Sequence, residues 1–278
     1  MLSLVTSKGA ILAIVFVALF AAERRFAFAA SAKFAASRLV RNVALWASAA
    51  PISPLIALPI AAFISEVQIW SRPETLAPII SIVISIVLLD LWTYFLHRAY
   101  HEAPILWRLH RPHHLDETLD VTSAVRFHFA EVALSALTRA IPVWLFAMPL
   151  THVAIFETLL LSAAIFHHSN VSLPPSVDRL IGKLFVTPNF HWVHHHRCAS
   201  DLQSNFGAVF SFWDRLFGTK SATVRSATMP IGVPGDGDMS VVALLLSPFV
   251  RTGMVQASAR QGSYLGREAA DRSARSAQ

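Results

Sequence analysis

Cysteine is almost missing from this chain: Cys198 is the only one in 278 residues. That excludes an internal disulfide and any multi-cysteine zinc or iron–sulfur site. Charge is scarce too, at 14% of residues against 54% hydrophobic, and mean hydropathy is +0.52. These values fit an integral membrane protein better than a soluble domain. No glycine-rich phosphate loop, dinucleotide fingerprint or Gly-x-Ser-x-Gly elbow occurs, so no nucleotide site is read. No internal repeat of 20–50 residues is visible either. The formal net charge of +6 comes from Lys and Arg in loops beside apolar runs. Membrane topology and anionic headgroups account for that better than nucleic acid does.

The apolar residues fall into runs. Residues 11–22 form the first, between Lys8 and the charged triplet Glu23, Arg24 and Arg25. A cleaved signal peptide is the rival reading, but Arg24 and Arg25 stand between the apolar core and the small-residue site at Ala27–Ala29. A second run, 43–65, carries Pro51, Pro54 and Pro59, tolerable in a membrane helix packed against others. After a polar break from Glu66 to Glu74 comes the strongest, Leu76 to Leu96, long enough to span a bilayer. Residues 132–166, broken at Met148-Pro149-Leu150, suffice for two helices joined by a tight turn. Five Lys or Arg lie between the first two runs and only Arg72 between the second and third. The positive-inside rule then makes the first loop cytoplasmic, and the third run delivers His97 to that side. A polar link runs from 115 to 131, short helices or loops are expected at 171–190, and Val241 to Val250 suit a peripheral helix. The Ser-, Ala- and Arg-rich stretch from Arg251 reads as a disordered tail.

Against this background stand thirteen histidines. His97 and His101 are four apart, on one helix face. His110, His113 and His114 repeat the offsets of three and four, as do His191, His194 and His195. Neutral imidazole is the commonest nitrogen ligand for iron, zinc and copper, and such spacings are how helices present it. Spacing alone establishes a multi-histidine metal site. Asp90, seven residues before His97 and inside an apolar segment, is expected to orient a ligand imidazole through its second nitrogen.

At these residues the chain resembles the fatty acid hydroxylase superfamily, the sterol desaturase-like membrane oxygenases. HRAYH, HRPHH and HWVHH match its HxxxH, HxxHH, HxxHH pattern, and HSNV (168–171), TPNFHWVHHH (187–196) and NFGAVFSFWDRLFGT (205–219) extend the likeness over about 90–220. The resemblance implies an all-α integral membrane bundle of about four to five membrane helices with a histidine-rich cytoplasmic helical cap. It divides the chain into N-terminal membrane helices (1–75), a catalytic segment (76–220) and a peripheral segment with the tail (221–278). It further implies two iron ions, with zinc as a substitute, held by His97, His101, His110, His113, His114, His191, His194 and His195, and by His168 ahead of Ser169-Asn170. His167 is expected to support or pack, His196 lies off the ligand face, and His152 is unrelated. Arg126, His128 and Glu131 resemble the family's Arg-x-His-Pro-x-Glu stretch, with Phe129 where proline is usual, and suit supporting or substrate-side roles. Phe206 stands where the family has tyrosine, which removes a hydroxyl.

The implied activity is O2-dependent hydroxylation of a lipid or similarly apolar molecule in a bacterial inner membrane, with electrons from a reductase, ferredoxin or cytochrome b5-like donor. Desaturation and ether-lipid cleavage are outcomes of the same class. A histidine-rich metal transporter is the alternative from another class, but transporters place ion sites mid-membrane, where two repeats meet. A bis-histidine haem protein needs paired single histidines, not three dense clusters.

Overall fold

The computed structural model describes residues 2–30, 36–52 and 77–250, with short isolated stretches between 55 and 71. Among them the structure is all-helical, and β pairing is confined to isolated bridges such as Ala27↔Val171 and Phe185↔Phe210. The expected tail from Arg251 lies outside the described residues, as do short pieces of the 43–65 run.

Helix α1 (Leu2–Arg25) covers the first apolar run, and α2 (Ala36–Ala49) stops ahead of Pro51. The strongest run becomes α3 (Pro78–Glu102), which continues past Leu96 to carry His97 and His101 as its last turns. Pro78 opens it, filling a position whose N–H would have no partner. Twenty-five residues give about 37 Å of helix, more than the roughly 30 Å of bilayer hydrocarbon. The next helix, α4 (Pro104–His114), begins two residues later. Proline bars its predecessor from the helical region, and Ala103 sits at φ −92°, ψ 118°. That corner breaks one long helix into two and turns the second set of histidines back onto the first.

The polar link from 115 to 131 is deeply buried. Leu115, Asp116, Leu119, Val121 and Arg126 are at most 1% exposed. A 3₁₀ turn (Val121–Val125) forms under an Asp120–Ser123 capping box, with Asp120 accepting from the Thr122 N–H. Arg38 of α2 bridges Asp116 and Asp120 at 2.6 Å each, and this pairing holds the Asp116 carboxyl below its ordinary value despite burial. Charge matching from a helix eighty residues earlier is what lets this stretch go inside.

Helices α5 (Phe129–Leu145) and α6 (Leu150–His168) form the expected pair about the 146–149 break. Leu89 of α3, Val143 of α5 and Phe156 of α6 meet in one apolar cluster, while Leu12, Phe16 and Leu19 of α1 pack on a second, formed by Val121, Ala124, Ala164 and Ile165. Short helices follow: α7 (Pro175–Ile181), α8 (Pro188–His194), α9 (Ala199–Leu202), α10 (Phe212–Leu216) and α11 (Val241–Leu246). Among the described residues two helices, α3 and α6, are long and apolar enough to cross a membrane. Ile79, Ile80, Val83 and Ile84 along α3 are 40–67% exposed, a surface suited to lipid rather than water.

Candidate metal centre

The histidines converge from four helices. His97 and His101 come from the end of α3, His110 and His114 from α4 across the Ala103 corner, and His194 from α8; their ligand nitrogens lie within 4.8 Å of one another. A second set joins His113 of α4, His168 at the end of α6, and His191 and His195 of α8 within the same limit. The two sets interlock, since His113 and His114 are chain neighbours and the His114 and His195 rings lie 4.3 Å apart. All nine sequence-predicted histidines are therefore gathered here, eight of them at most 5% exposed and His97 half-buried.

The second nitrogen of each ring fixes what the first can do. His97 Nδ1 meets the Phe206 carbonyl at 2.8 Å, His113 that of Arg126 at 3.1 Å, His168 that of Ala164 at 2.8 Å and His194 that of Ser204 at 2.7 Å. A carbonyl only accepts, so each of these Nδ1 atoms carries the proton and each Nε2 keeps a lone pair. His113 and His168 then face one another Nε2 to Nε2 at 3.1 Å with two lone pairs and no proton between them. That contact is repulsive unless a cation lies against both. Two nitrogens at right angles on one ion, each about 2.1 Å from it, would be separated by about 3 Å. His110–His114, His168–His191 and His191–His195 show 3.1, 3.1 and 3.2 Å. Both nitrogens of His101 and Nε2 of His194 are buried with no hydrogen-bond partner. The donor set fits two metal ions.

Burial keeps the rings neutral, the form that binds metal. It pushes His110 down to about 3, and His113, His114, His191, His194 and His195 well below the ordinary imidazole value, with neighbouring imidazoles adding to the effect in these five.

Asp90 corrects its expected role. Its oxygens accept from the Val209 and Phe210 N–H groups at 3.1 Å and from Trp213 Nε1 at 2.9 Å, not from an imidazole. Seven residues of helix separate it from His97 by about 10 Å along the axis, too far for a direct bond. The carboxyl group at a ligand ring is Glu131, whose Oε1 lies 2.7 Å from His110 Nδ1 and which burial pushes well above the usual carboxyl range. Asp90 acts on the 205–219 loop together with Asp214, which accepts from the Phe206 and Gly207 N–H groups. That loop presents the carbonyl used by His97. Asn205 enters it at φ 56°, a conformation asparagine tolerates, and its amide donates to the Phe190 carbonyl. At Gly207 a Cβ would come within 2.7 Å of the Phe210 carbonyl. The Phe206 ring packs on Tyr94, His97 and His101, so this residue meets its histidine partner through the backbone.

The remaining histidines sort differently. His167 lies beside the second set, its ring 4.0 Å from that of His191. His128 caps α5 by accepting from the Ala130 N–H, and its other nitrogen meets the Leu245 carbonyl. His196 pairs with Asp201 at 2.7 Å, near Cys198. His152 bonds Ser85 between α6 and α3.

Histidine clusters able to bind metal, set on an apolar helical scaffold, define the class. The family model for fatty acid hydroxylases matches residues 82–219, and the chain belongs to that superfamily. It is 30% identical over 172 residues to an ornithine lipid hydroxylase of Rhizobium tropici, covering 62% of this chain and 51% of that protein. To the alkylglycerol monooxygenase of Caenorhabditis elegans it is 33% identical over 138 residues, 48% of this chain and 25% of the relative. To methylsterol monooxygenase 1 of Danio rerio it is 30% identical over 132 residues, 48% of this chain and 44% of the relative. The chain thus spans about half or less of the length of these relatives. No solved structure shows a significant match.

Proposed function

We propose that the chain is a membrane-bound non-haem di-iron oxygenase that hydroxylates a lipid or sterol-like apolar substrate with O2 and electrons from a separate donor. The observation that carries this reading is the opposed lone pairs of His113 and His168 inside two buried histidine sets. The relatives' names, lipid hydroxylase and two monooxygenases, supply the reaction class. Bound iron would supply the redox chemistry and oxygen activation that an unactivated carbon–hydrogen bond requires. Zinc suits the same nitrogens but has no redox chemistry.

In this reading His97, His101, His110, His114 and His194 hold one ion and His113, His168, His191 and His195 the other. The protein's own contribution is orientation and dryness. Backbone carbonyls lock four of the rings with Nε2 inward, and Glu131 accepts the Nδ1 proton of His110. Apolar helices wall the site and favour a substrate arriving sideways from the bilayer. Hydroxylation is preferred over desaturation and ether cleavage, which share the same site requirements. The membrane part comprises four to five helices (N-terminal ones in 1–75, the catalytic segment 76–220), with the site on the cytoplasmic side of a bacterial inner membrane. A reductase, ferredoxin or cytochrome b5-like protein reduces it there.

The test is incubation of membranes with labelled O2, a lipid extract and a reducing system. Label enters product in wild type and not in His110→Ala; product oxygen drawn from water, or turnover without O2, overturns the reading. Reporters fused after Thr219 and near Pro73 should read cytoplasmic and external respectively, and an external Thr219 overturns the topology.

A further inference from the structure

Outside the histidine core, two short segments share an exposed face. Leu180, Leu184 and Phe185, on α7 and the turn after it, are 69, 45 and 39% exposed, and Leu216 and Phe217 at the end of α10 are 67 and 38% exposed. The segments are stitched together. The Ser211 N–H donates to the Leu184 carbonyl at 2.9 Å, the Phe185 and Phe210 rings lie 5.6 Å apart, and Arg215 donates to the Gly182 and Lys183 carbonyls. Phe217 joins this face to α3, its ring 5.0 Å from that of Phe95, which is 46% exposed. Phe95 stands two residues before His97, so the lipid-facing stripe of α3 continues onto the cap near the level of the histidines.

The same segments are basic. Arg179, Lys183, Arg215 and Lys220 are exposed, whereas the acidic Asp214 is fully buried and spent on backbone N–H groups. Of the remaining acids on these segments, Asp178 is half-buried. Large apolar side chains at two-thirds exposure suit neither water nor a charged protein surface. Interleaved with lysine and arginine near the end of a membrane-length helix, they suit the boundary between acyl chains and anionic headgroups.

We propose that the 177–185 and 211–220 segments form a collar that docks on the anionic leaflet. Leu180, Leu184 and Leu216 enter the acyl boundary, and Lys183 and Lys220 meet lipid phosphates. Which leaflet this is rests on the cytoplasmic placement proposed above. The collar is tied to the site, because the loop that ends in α10 is fastened by Asp90 and Asp214 and presents the Phe206 carbonyl to His97. Lipid contact therefore sets the depth at which the five-histidine set stands.

The experiment uses full-length protein in nanodiscs with and without phosphatidylglycerol. In a Cys198→Ser background, nitroxide labels are placed through Leu184→Cys, Leu216→Cys and, as a reference, the exposed Ser200→Cys. Relaxation by apolar O2 relative to water-soluble chromium oxalate should be several-fold greater at 184 and 216 than at 200. Reversing charge with Lys183→Glu and Lys220→Glu should lower that ratio in anionic nanodiscs and leave it unchanged in neutral ones. Equal ratios at the three positions mean a collar in water or under another protein, and overturn the proposal. A high ratio indifferent to charge reversal overturns the anionic-leaflet assignment. Metal content measured on the same samples tests the oxygenase reading separately, since an intact metal complement with equal ratios sinks only the collar.

Discussion

The two histidine sets are built from the same helices yet differ in what stands behind the rings. In the set of five, His110 backs onto the Glu131 carboxyl, while His97 and His194 back onto carbonyls of the 204–206 stretch. In the set of four, His113 and His168 back onto carbonyls of the 3₁₀ region and of α6 itself. One site therefore has an acidic group at its edge, and the other has neutral dipoles alone at its two hydrogen-bonded rings. A carboxyl partner raises the basicity of the imidazole it holds. The five-histidine set would thus be the better electron donor to an ion held there, besides having one more ring.

That contrast can be broken in order of effect. The largest effect comes from removing a ligand. Wild type should hold about two ions per chain, because nine rings exceed the four to six ligands one ion takes. His101→Ala should empty the first site and His195→Ala the second, each lowering metal content by elemental analysis, while His152→Ala leaves it unchanged. One ion or none in folded wild type would remove the comparison altogether.

Acid comes next, acting on both sets at once. In chelator-treated protein His110 takes its proton at about 3, whereas an unfolded chain takes it near 6.5. The unfolded state binds more protons between those values, so stability is full above about 6.5 and is lost as pH falls towards 3. Each such ring costs about 1.4 kcal/mol per pH unit in that window. Thermal melts from pH 7.5 to 4.5 should show Tm falling below pH 6.5; a flat profile would mean the rings are not neutral in the fold.

Glu131→Gln tests the asymmetry itself. Loss of the carboxyl should weaken the five-histidine ion by about 10- to 100-fold in a chelator competition and spare the other. Equal weakening of both would show that the sets act as one unit. The smallest effect on the metals is that of Asp90→Asn, which keeps one acceptor oxygen for three donors and should cost about 1–3 kcal/mol in denaturant unfolding. Both metals should remain.

Much of the site was legible because metal ligation constrains residue type: an imidazole must be a histidine, and offsets of three and four put it on a helix face. The division into five and four was not legible, because His113 and His114 are neighbours whose assignment depends on how α4 is turned. Most partners behind the rings were hidden for another reason. A backbone carbonyl leaves no mark in sequence, so Phe206, Arg126, Ala164 and Ser204 carry no sign of their use. Asp90 misled because register on one helix says which face a group is on, not whether it can span 10 Å. In the fold, apolar runs located α3, α5 and α6, but the burial of the polar 115–131 link was hidden, because its charges are matched by Arg38 and, for Arg126, by Asp238. Such pairing over long sequence distances is invisible to local hydropathy.

The corner at Ala103 bears on what this architecture tolerates. Each residue added to a helix turns everything beyond it by about 100° and advances it by about 1.5 Å. One alanine inserted between Glu102 and Pro104 leaves both helices their length and apolar character, and every histidine in the chain. It changes only the phase of α4 relative to α3, which swings His110 and His114 away from His97 and His101. A site whose ligands lie on both sides of such a corner is constrained in spacing as strictly as in residue type, so an insertion or deletion among the thirteen residues from His101 to His113 should scatter ligands that every single substitution outside the site leaves in place.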